Sequence, residues 1–422
     1  MINSLISKLE KKNLFKNIFS LSLLQGANYI LYFLTIPYLI RVLGIENFGL
    51  LAFATATCWY FILITDYGFN FSASRIISIH REDKHKINEI FSSVMTIKFG
   101  LLFLSFIVLL FLILCFEKFG QNSLVYFLTF GTVIGHVLFP QWLFQGLERM
   151  TYIAKLNIYT KLFFTLCIFI FVRNESDLML APLFTSLGFI VAGAWSLFLV
   201  KKDFAVTFKW QPFSKLKYYM REGSAIFFTN LTISLYTNST IFILGLLTNN
   251  VSVGYYSVAD RIIQAVKGLY VPVFQAFYPF MSKKIHETPK IGVNILLKST
   301  SILSIIMFVI SSILFFFAEP IIALVMGEVF DESVLILKIM AYLPFIIVLS
   351  NMFGIQGLYN LGYAGLVNKY IALVATIHFA CIFFIISSYG SLGAAKMLLL
   401  TETVITLLSA YFFFKKARAT LG

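Results

Sequence analysis

Nine ionisable residues stand inside otherwise apolar runs: Asp66, Lys98, Lys161, Asp260, Arg261, Lys267, Lys338, Lys396 and Glu402. A charge at a helix centre in lipid costs about 2.5–3.5 kcal/mol on insertion scales, so each needs water, a partner or a ligand. Such groups can bind an anion, pair with one another, or carry a proton or sodium ion. Six are basic and three acidic. A purely structural network would tend to balance, so the positive surplus favours an anionic ligand. Lys338 and Lys396 lie near the ends of their runs and Lys98 near the opposite end, where an ammonium can snorkel to the interface. Lys161 and Lys267 are too central for that.

Asp260, Gln264 and Lys267 recur at i, i+4 and i+7, one face of a helix, with Arg261 on its flank. Gly268 and Pro272 follow, which predicts a kink or a loosened turn. The face reads either as an internal ion pair locking two helices or as the cationic wall of a polar cavity tuned by Asp260. Gln25, Asn28, Tyr29, Tyr32 and Thr35 form a second stripe, and Asn230, Ser234, Thr237 and Asn238 a third. Both suit cavity walls, and both suit hydrogen-bonded helix packing. Asp66 lies in Thr65-Asp66-Tyr67-Gly68-Phe69-Asn70. It and Asp260 are the candidates for coupling to a proton or sodium gradient, and Asp66 could equally pair with Arg75 or a lysine. His136 and His378 read more readily as packed than as relay histidines.

These residues are positioned by a chain of 422 residues that is 59% hydrophobic and only 12% charged, with 48 Phe and 21 Tyr. Its mean hydropathy is +0.88. A soluble domain carries about 25% charged residues, so a soluble class is excluded. A helix needs about 20 apolar residues to cross about 30 Å of hydrocarbon. Twelve such runs are present, the first from about Leu14 to Ile40 and the last from about Ser391 to Phe414. The first is longer than a signal-peptide core and reads as a retained helix. The connections are short, the longest being about residues 201–222.

With twelve spans, both termini share one side. Twenty-four Lys and Arg fall on that side, against Arg41, Lys118 and Arg173 on the other. Cytoplasmic loops carry the basic excess, so both termini are expected in the cytoplasm, and the net charge of +14 is a topology signal rather than a nucleic-acid surface.

The chain also repeats weakly. Gly49-Leu50-Leu51-Ala52 and Gly254-Tyr255-Tyr256-Ser257 open the second and eighth runs, 205 residues apart. Gln145-Gly146-Leu147 and Gln356-Gly357-Leu358 close the fourth and tenth, 211 residues apart. Gln25 and Asn230 share the first offset. Two six-span bundles, 1–210 and 211–422, are therefore expected, related by an axis along the membrane normal.

Three stretches resemble the polysaccharide transporters of bacterial surface-glycan synthesis, most closely the O-antigen flippases of the multidrug/oligosaccharidyl-lipid/polysaccharide exporter superfamily. They are Ile36-Pro37-Tyr38-Leu39-Ile40-Arg41-Val42-Leu43-Gly44 through Asn47-Phe48-Gly49, Asp66-Tyr67-Gly68-Phe69-Asn70 through Ser74-Arg75, and Pro140-Gln141-Trp142-Leu143-Phe144-Gln145-Gly146-Leu147-Glu148-Arg149-Met150. The resemblance implies an all-α integral membrane protein with two pseudo-symmetric six-helix bundles around a V-shaped central cavity. It implies a flippase of the inner membrane that moves undecaprenyl-pyrophosphate-linked oligosaccharide to the periplasmic leaflet by alternating access. A polysaccharide polymerase and a chain-length regulator are the protein partners that such a pathway implies.

The physics of that substrate agrees with the residues. A diphosphate needs cations, which Lys98, Lys161, Arg261 and Lys267 could supply. A sugar chain needs hydroxyl, amide and aromatic contacts, for which Gln25, Asn28, Tyr32, Asn230, Thr237 and Gln264 are candidates. An ion-coupled drug exporter would favour an acidic cavity. A membrane-embedded polymerase or ligase would carry a large outer loop, and the longest outer segment, about residues 318–331, is short. No Walker, nucleophile-elbow or HExxH motif is present, and no catalytic residue or cofactor is expected. Cys58, Cys115, Cys167 and Cys381 are scattered, without metal or disulfide spacing.

Overall fold

The computed structural model describes the backbone of residues 2–421 and the side chains of residues 34–235 and 238–418. The predicted stripe at Gln25, Asn28, Tyr29 and Tyr32, and Thr237 on the third stripe, lie outside the described side chains. The described residues form helices joined by short turns: α1 (Ile2–Asp66), α2 (Phe69–Ile79), α3 (Lys84–Cys115), α4 (Glu117–Gly120), α5 (Ser123–Leu138), α6 (Gln141–Gly146), α7 (Met150–Phe171) and α8 (Leu180–Phe204). They continue as α9 (Phe213–Thr237), α10 (Ser239–Leu247), α11 (Asn250–Glu287), α12 (Pro289–Phe316), α13 (Ala318–Met326), α14 (Asp331–Met340), α15 (Leu343–Asn351), a π-helix (Met352–Tyr359) and α16 (Ala364–Leu421).

Among the described residues, eight helical stretches are long and apolar enough to cross a membrane, and nine if α9 and α10 form one broken span. The chain is thus an all-helical, multi-pass membrane protein. Two of the eight stretches are bent pairs. α1 turns at Gly44 (φ 77°, ψ 166°), a conformation open essentially to glycine alone, and α16 turns at Gly390 (φ 57°, ψ −138°). α11 is 38 residues long but is not among the eight, because Asp260, Arg261 and Lys267 interrupt its apolar character. It runs as one helix through Pro272 and Pro279. The connection expected over 201–222 is shorter. Helix α8 runs to Phe204 and α9 begins at Phe213, so only residues 205–212 lack helix.

The chain packs as two units, Val42–Leu246 and a second made of residues up to Arg41 together with Leu247 onward. These boundaries lie away from 210/211, where the internal repeat divides the sequence. In the first unit, α5 packs tightly on α8. A Cβ on Gly135 would lie 2.4 Å from the carbonyl carbon of Phe189. Gly131 and Gly135 thus make the small-residue face that lets two helices approach in lipid. In the second unit, Gln356 of the π-helix donates from Nε2 to the carbonyl of Phe274 on α11 at 3.1 Å. Tyr370 Oη and Ser409 Oγ lie 2.7 Å apart, and both residues are buried.

Candidate functional site: a polar cavity in the Val42–Leu246 unit

The break between α1 and α2 places the carboxylate on which the site is built. Tyr67 (φ 47°) and Gly68 (φ 77°) are both left-handed, which ends α1 at Asp66 and redirects the chain into α2. Such a conformation is uncommon for a tyrosine. Here the Tyr67 ring is held stacked on Phe227 of α9, with centroids 4.8 Å apart. A Cβ on Gly223 of α9 would come within 2.7 Å of the Tyr67 carbonyl, so α9 and the break touch backbone to backbone. Asp66 is thereby fixed one turn from Asn70, whose Nδ2 donates to Asp66 Oδ1 at 2.8 Å.

Helix α3 brings Lys98 to the same point. Its side chain is 3% exposed, its Nζ lies 3.8 Å from Asp66 Oδ1, and it donates to the His136 carbonyl at 3.4 Å. This answers the alternative left open by the sequence: Lys98 does not snorkel but pairs with Asp66. The two line a cavity of about 490 Å³, within the range of small-molecule sites. Residues of α1, α2, α3, α5, α6, α7, α8 and α9 contribute to its wall.

The remaining polar groups of the wall are mostly carboxamides: Asn70, Gln141, Asn157, Asn230 and Asn238. The side chains of Gln141, Asn157 and Asn230 make no hydrogen bond to any described residue. His136 also faces the cavity and stacks on Phe189 at 4.8 Å. Trp59 adds an aromatic face and is 43% exposed.

Of the predicted site residues, the structure brings together Asp66, Lys98 and Asn230. Lys161 on α7 is exposed and does not line this wall, but its ammonium interacts electrostatically with His136, which does. Asp260, Arg261, Gln264 and Lys267 lie on α11 in the second unit. There Gln264 Nε2 donates to Asp260 Oδ1 at 3.3 Å, and Lys267 interacts electrostatically with Asp260 and Glu402. The two histidines part ways. His378 is buried with Nδ1 2.7 Å from Thr401 Oγ1, as packing predicted, whereas His136 belongs to the cavity. Sequence reasoning also passed over Trp59, Gln141 and Asn157. The signal for Gln141 and Asn70 was present, since both stand in the stretches that carry the family resemblance.

Those stretches explain themselves physically. In the third, Trp142, Leu143 and Phe144 are wholly buried beneath Gln141. A Cβ on Gly146 would lie 2.7 Å from the Ile77 side chain, so α6 rests directly on α2. Arg81 closes the joint, donating from Nε to the Gly146 carbonyl at 3.0 Å and from Nη2 to Glu148 at 2.6 Å. α9 is tied down as well. Glu89 of α3 accepts from Lys215 Nζ at 3.1 Å and Tyr219 Oη at 2.9 Å, and Arg75 of α2 donates to Glu222 at 2.9 Å.

Comparison with known proteins agrees with this architecture. Residues 14–285 match the family described as polysaccharide biosynthesis protein. A protein of Escherichia coli (strain K12) named "Putative O-antigen transporter" is 32% identical over 402 residues, covering 95% of this chain and 97% of its own length. One of the same name from Shigella dysenteriae is 28% identical, covering 93% of this chain and 98% of its own. Among solved structures, the lipid II flippase MurJ in an inward closed conformation aligns with a TM-score of 0.72 at 14% identity, over 96% of this chain and 91% of its own. An inward-facing multidrug resistance MATE family transporter of the MOP superfamily aligns with a TM-score of 0.60 at 13% identity, over 93% and 98%. The chain belongs to the polysaccharide biosynthesis protein family, a family of multi-pass membrane transporters with a MATE-like fold.

Proposed function

We propose that this protein is a flippase that carries an undecaprenyl-pyrophosphate-linked oligosaccharide, an O-antigen or similar repeat unit, from the cytoplasmic to the periplasmic leaflet by alternating access. The observation that carries the reading is end-to-end similarity to the Escherichia coli transporter, 32% identity over 95% of the chain. A cavity with a carboxylate, an ammonium and several amides at membrane depth supports it, because polar groups there are costly unless they serve a path. Twelve crossings are reached when the bends at Gly44 and Gly390 each divide a helix in two and α9–α10 and α11 are each counted as a span. The basic bias of the loops then puts both termini in the cytoplasm of an inner-membrane protein. The repeat offsets support a six-plus-six pseudo-symmetry. Lys161, Arg261 and Lys267 are the cations proposed to meet the diphosphate, with Asp260 and Glu402 beside Lys267 tuning its charge; Lys98 is held by Asp66 at 3.8 Å.

The test is deletion of the gene with plasmid rescue, scored for surface polysaccharide and for lipid-linked units on each face of the membrane. Complete single units trapped on the cytoplasmic face are expected. Single units reaching the periplasm without chain growth would mean a polymerase. An unchanged glycan with altered drug sensitivity would mean a drug exporter.

A further inference from the structure

The two charged side chains that line the cavity in the Val42–Leu246 unit pair with each other, and Lys161 acts on the cavity only through His136. The wall holds one carboxylate, Asp66, and one ammonium, Lys98, and these lie 3.8 Å apart. A diphosphate entering beside Lys98 would meet Asp66 at nearly the same distance, and like charges repel most where water is scarce. What the wall offers in quantity is the carboxamide. Each carries two N–H donors and an acceptor oxygen, which can serve two neighbouring hydroxyls, or an N-acetyl group, at once. Gln141, Asn157 and Asn230 make no hydrogen bond to other described residues, so their capacity is directed to whatever enters. Trp59, Phe139 and Phe189 supply apolar faces between them. Amides alternating with aromatic faces match a sugar ring, which presents hydroxyls at its rim and C–H groups on its faces.

We propose that this cavity is a glycan-reading subsite that binds an uncharged segment of the oligosaccharide and does not hold the diphosphate. The proposal rests on the reading of the chain as a carrier of lipid-linked oligosaccharide and deepens it: sugar identity is read here, by amides on α6, α7 and α9. Asp66 and Lys98 serve as a mutually neutralising pair that keeps anions out.

Trp59 provides the measurement. The purified full-length protein in detergent is titrated with two probes while tryptophan emission is followed. One is the repeat-unit oligosaccharide released by mild acid from the host's lipid-linked intermediates; the other is inorganic pyrophosphate. The oligosaccharide is expected to give a saturable change that Trp59→Phe abolishes. Asn157→Ala and Asn230→Ala should each weaken it by about tenfold, the loss of one or two hydrogen bonds. Pyrophosphate should give no saturable change in the wild type and should acquire one in Asp66→Asn, which leaves Lys98 uncancelled. Pyrophosphate competing with the oligosaccharide at Trp59 in the wild type would overturn the proposal. So would an oligosaccharide that leaves Trp59 silent. If an alanine variant fails to fold, the competition between the two probes in the wild type still decides. A silent Trp59 together with cytoplasmic trapping of units in the deletion strain would end the subsite and leave the flippase standing. Absence of trapping would remove the flippase itself.

Discussion

In the Val42–Leu246 unit, Asp66 and Lys98 face each other beside Gln141, Asn157 and Asn230, whose side chains bond no other described residue. In the second unit, Gln356, Tyr370 and His378 each close on a partner within the helix packing. Both units face the same demand, since an unsatisfied polar group in hydrocarbon costs several kcal/mol. They meet it in different ways. At Gln356, Tyr370 and His378 the second unit uses polar groups to bind helix to helix. The first keeps a set of them around a space and holds that space open by tying α2, α3, α6 and α9 together at Gly146, Glu89 and Glu222. A polar residue in a span is therefore a poor guide to function until its partner is known.

The contrast can be broken at the ion pair first. Lys98→Met leaves Asp66 without its counter-charge and should lower stability by about 3–5 kcal/mol. The double variant Asp66→Asn with Lys98→Met should recover most of it. Thermal unfolding of the purified chain in detergent reads both, and a double variant no better than the single would show that the two residues are not coupled. Next is the wall itself. Gly135→Ala forces a Cβ against the Phe189 carbonyl carbon at 2.4 Å and should cost about 1–3 kcal/mol, whereas Gly365→Ala, which meets nothing within 4 Å, should cost little. Equal losses at the two positions would mean that α5 and α8 do not pack as described.

The comparison is sharpest between two amides. Gln356→Leu removes the donor from the buried Phe274 carbonyl and should lower stability by about 1–3 kcal/mol while leaving oligosaccharide binding intact below the transition. Asn157→Ala should do the reverse, weakening binding at unchanged melting temperature. If both variants behave alike, the division into packing and cavity amides fails.

The smallest effect is expected at the α6–α7 turn. Arg81 hydrogen-bonds Glu148 and holds its carboxyl below the usual carboxylate range. A depressed folded-state pKa contributes stability above the ordinary carboxylate pKa and loses it as pH falls through the depressed value. The pair is solvent-exposed, so Glu148→Gln should shift the melting temperature only slightly at neutral pH and not at all in strong acid. A larger gap at acidic than at neutral pH would contradict the sign.

Much of the architecture was legible in the order of residues, because lipid leaves few options. Long apolar runs must be helices, and charges within them must be paired or functional. The nine interrupting charges, the carboxamides at Asn230 and Asn238, and the stretches around Asp66 and Gln141 were all visible in this way. Pairing was not. Lys98 could have reached the interface, and only the break at Tyr67 and Gly68, held by α9, sets Asp66 against it. Nor could residue types separate His136 from His378, since a ring nitrogen reads alike whether a threonine or a cavity faces it. The charge surplus of the spans suggested a cationic wall; in the Val42–Leu246 unit the one ammonium that lines the wall is paired, because 3.8 Å separates Lys98 on α3 from Asp66 at the end of α1. Composition and periodicity act along the chain and dictate its helices. Which polar groups meet, and which are left facing a space, depends on distances across it, and those arise only when the helices pack.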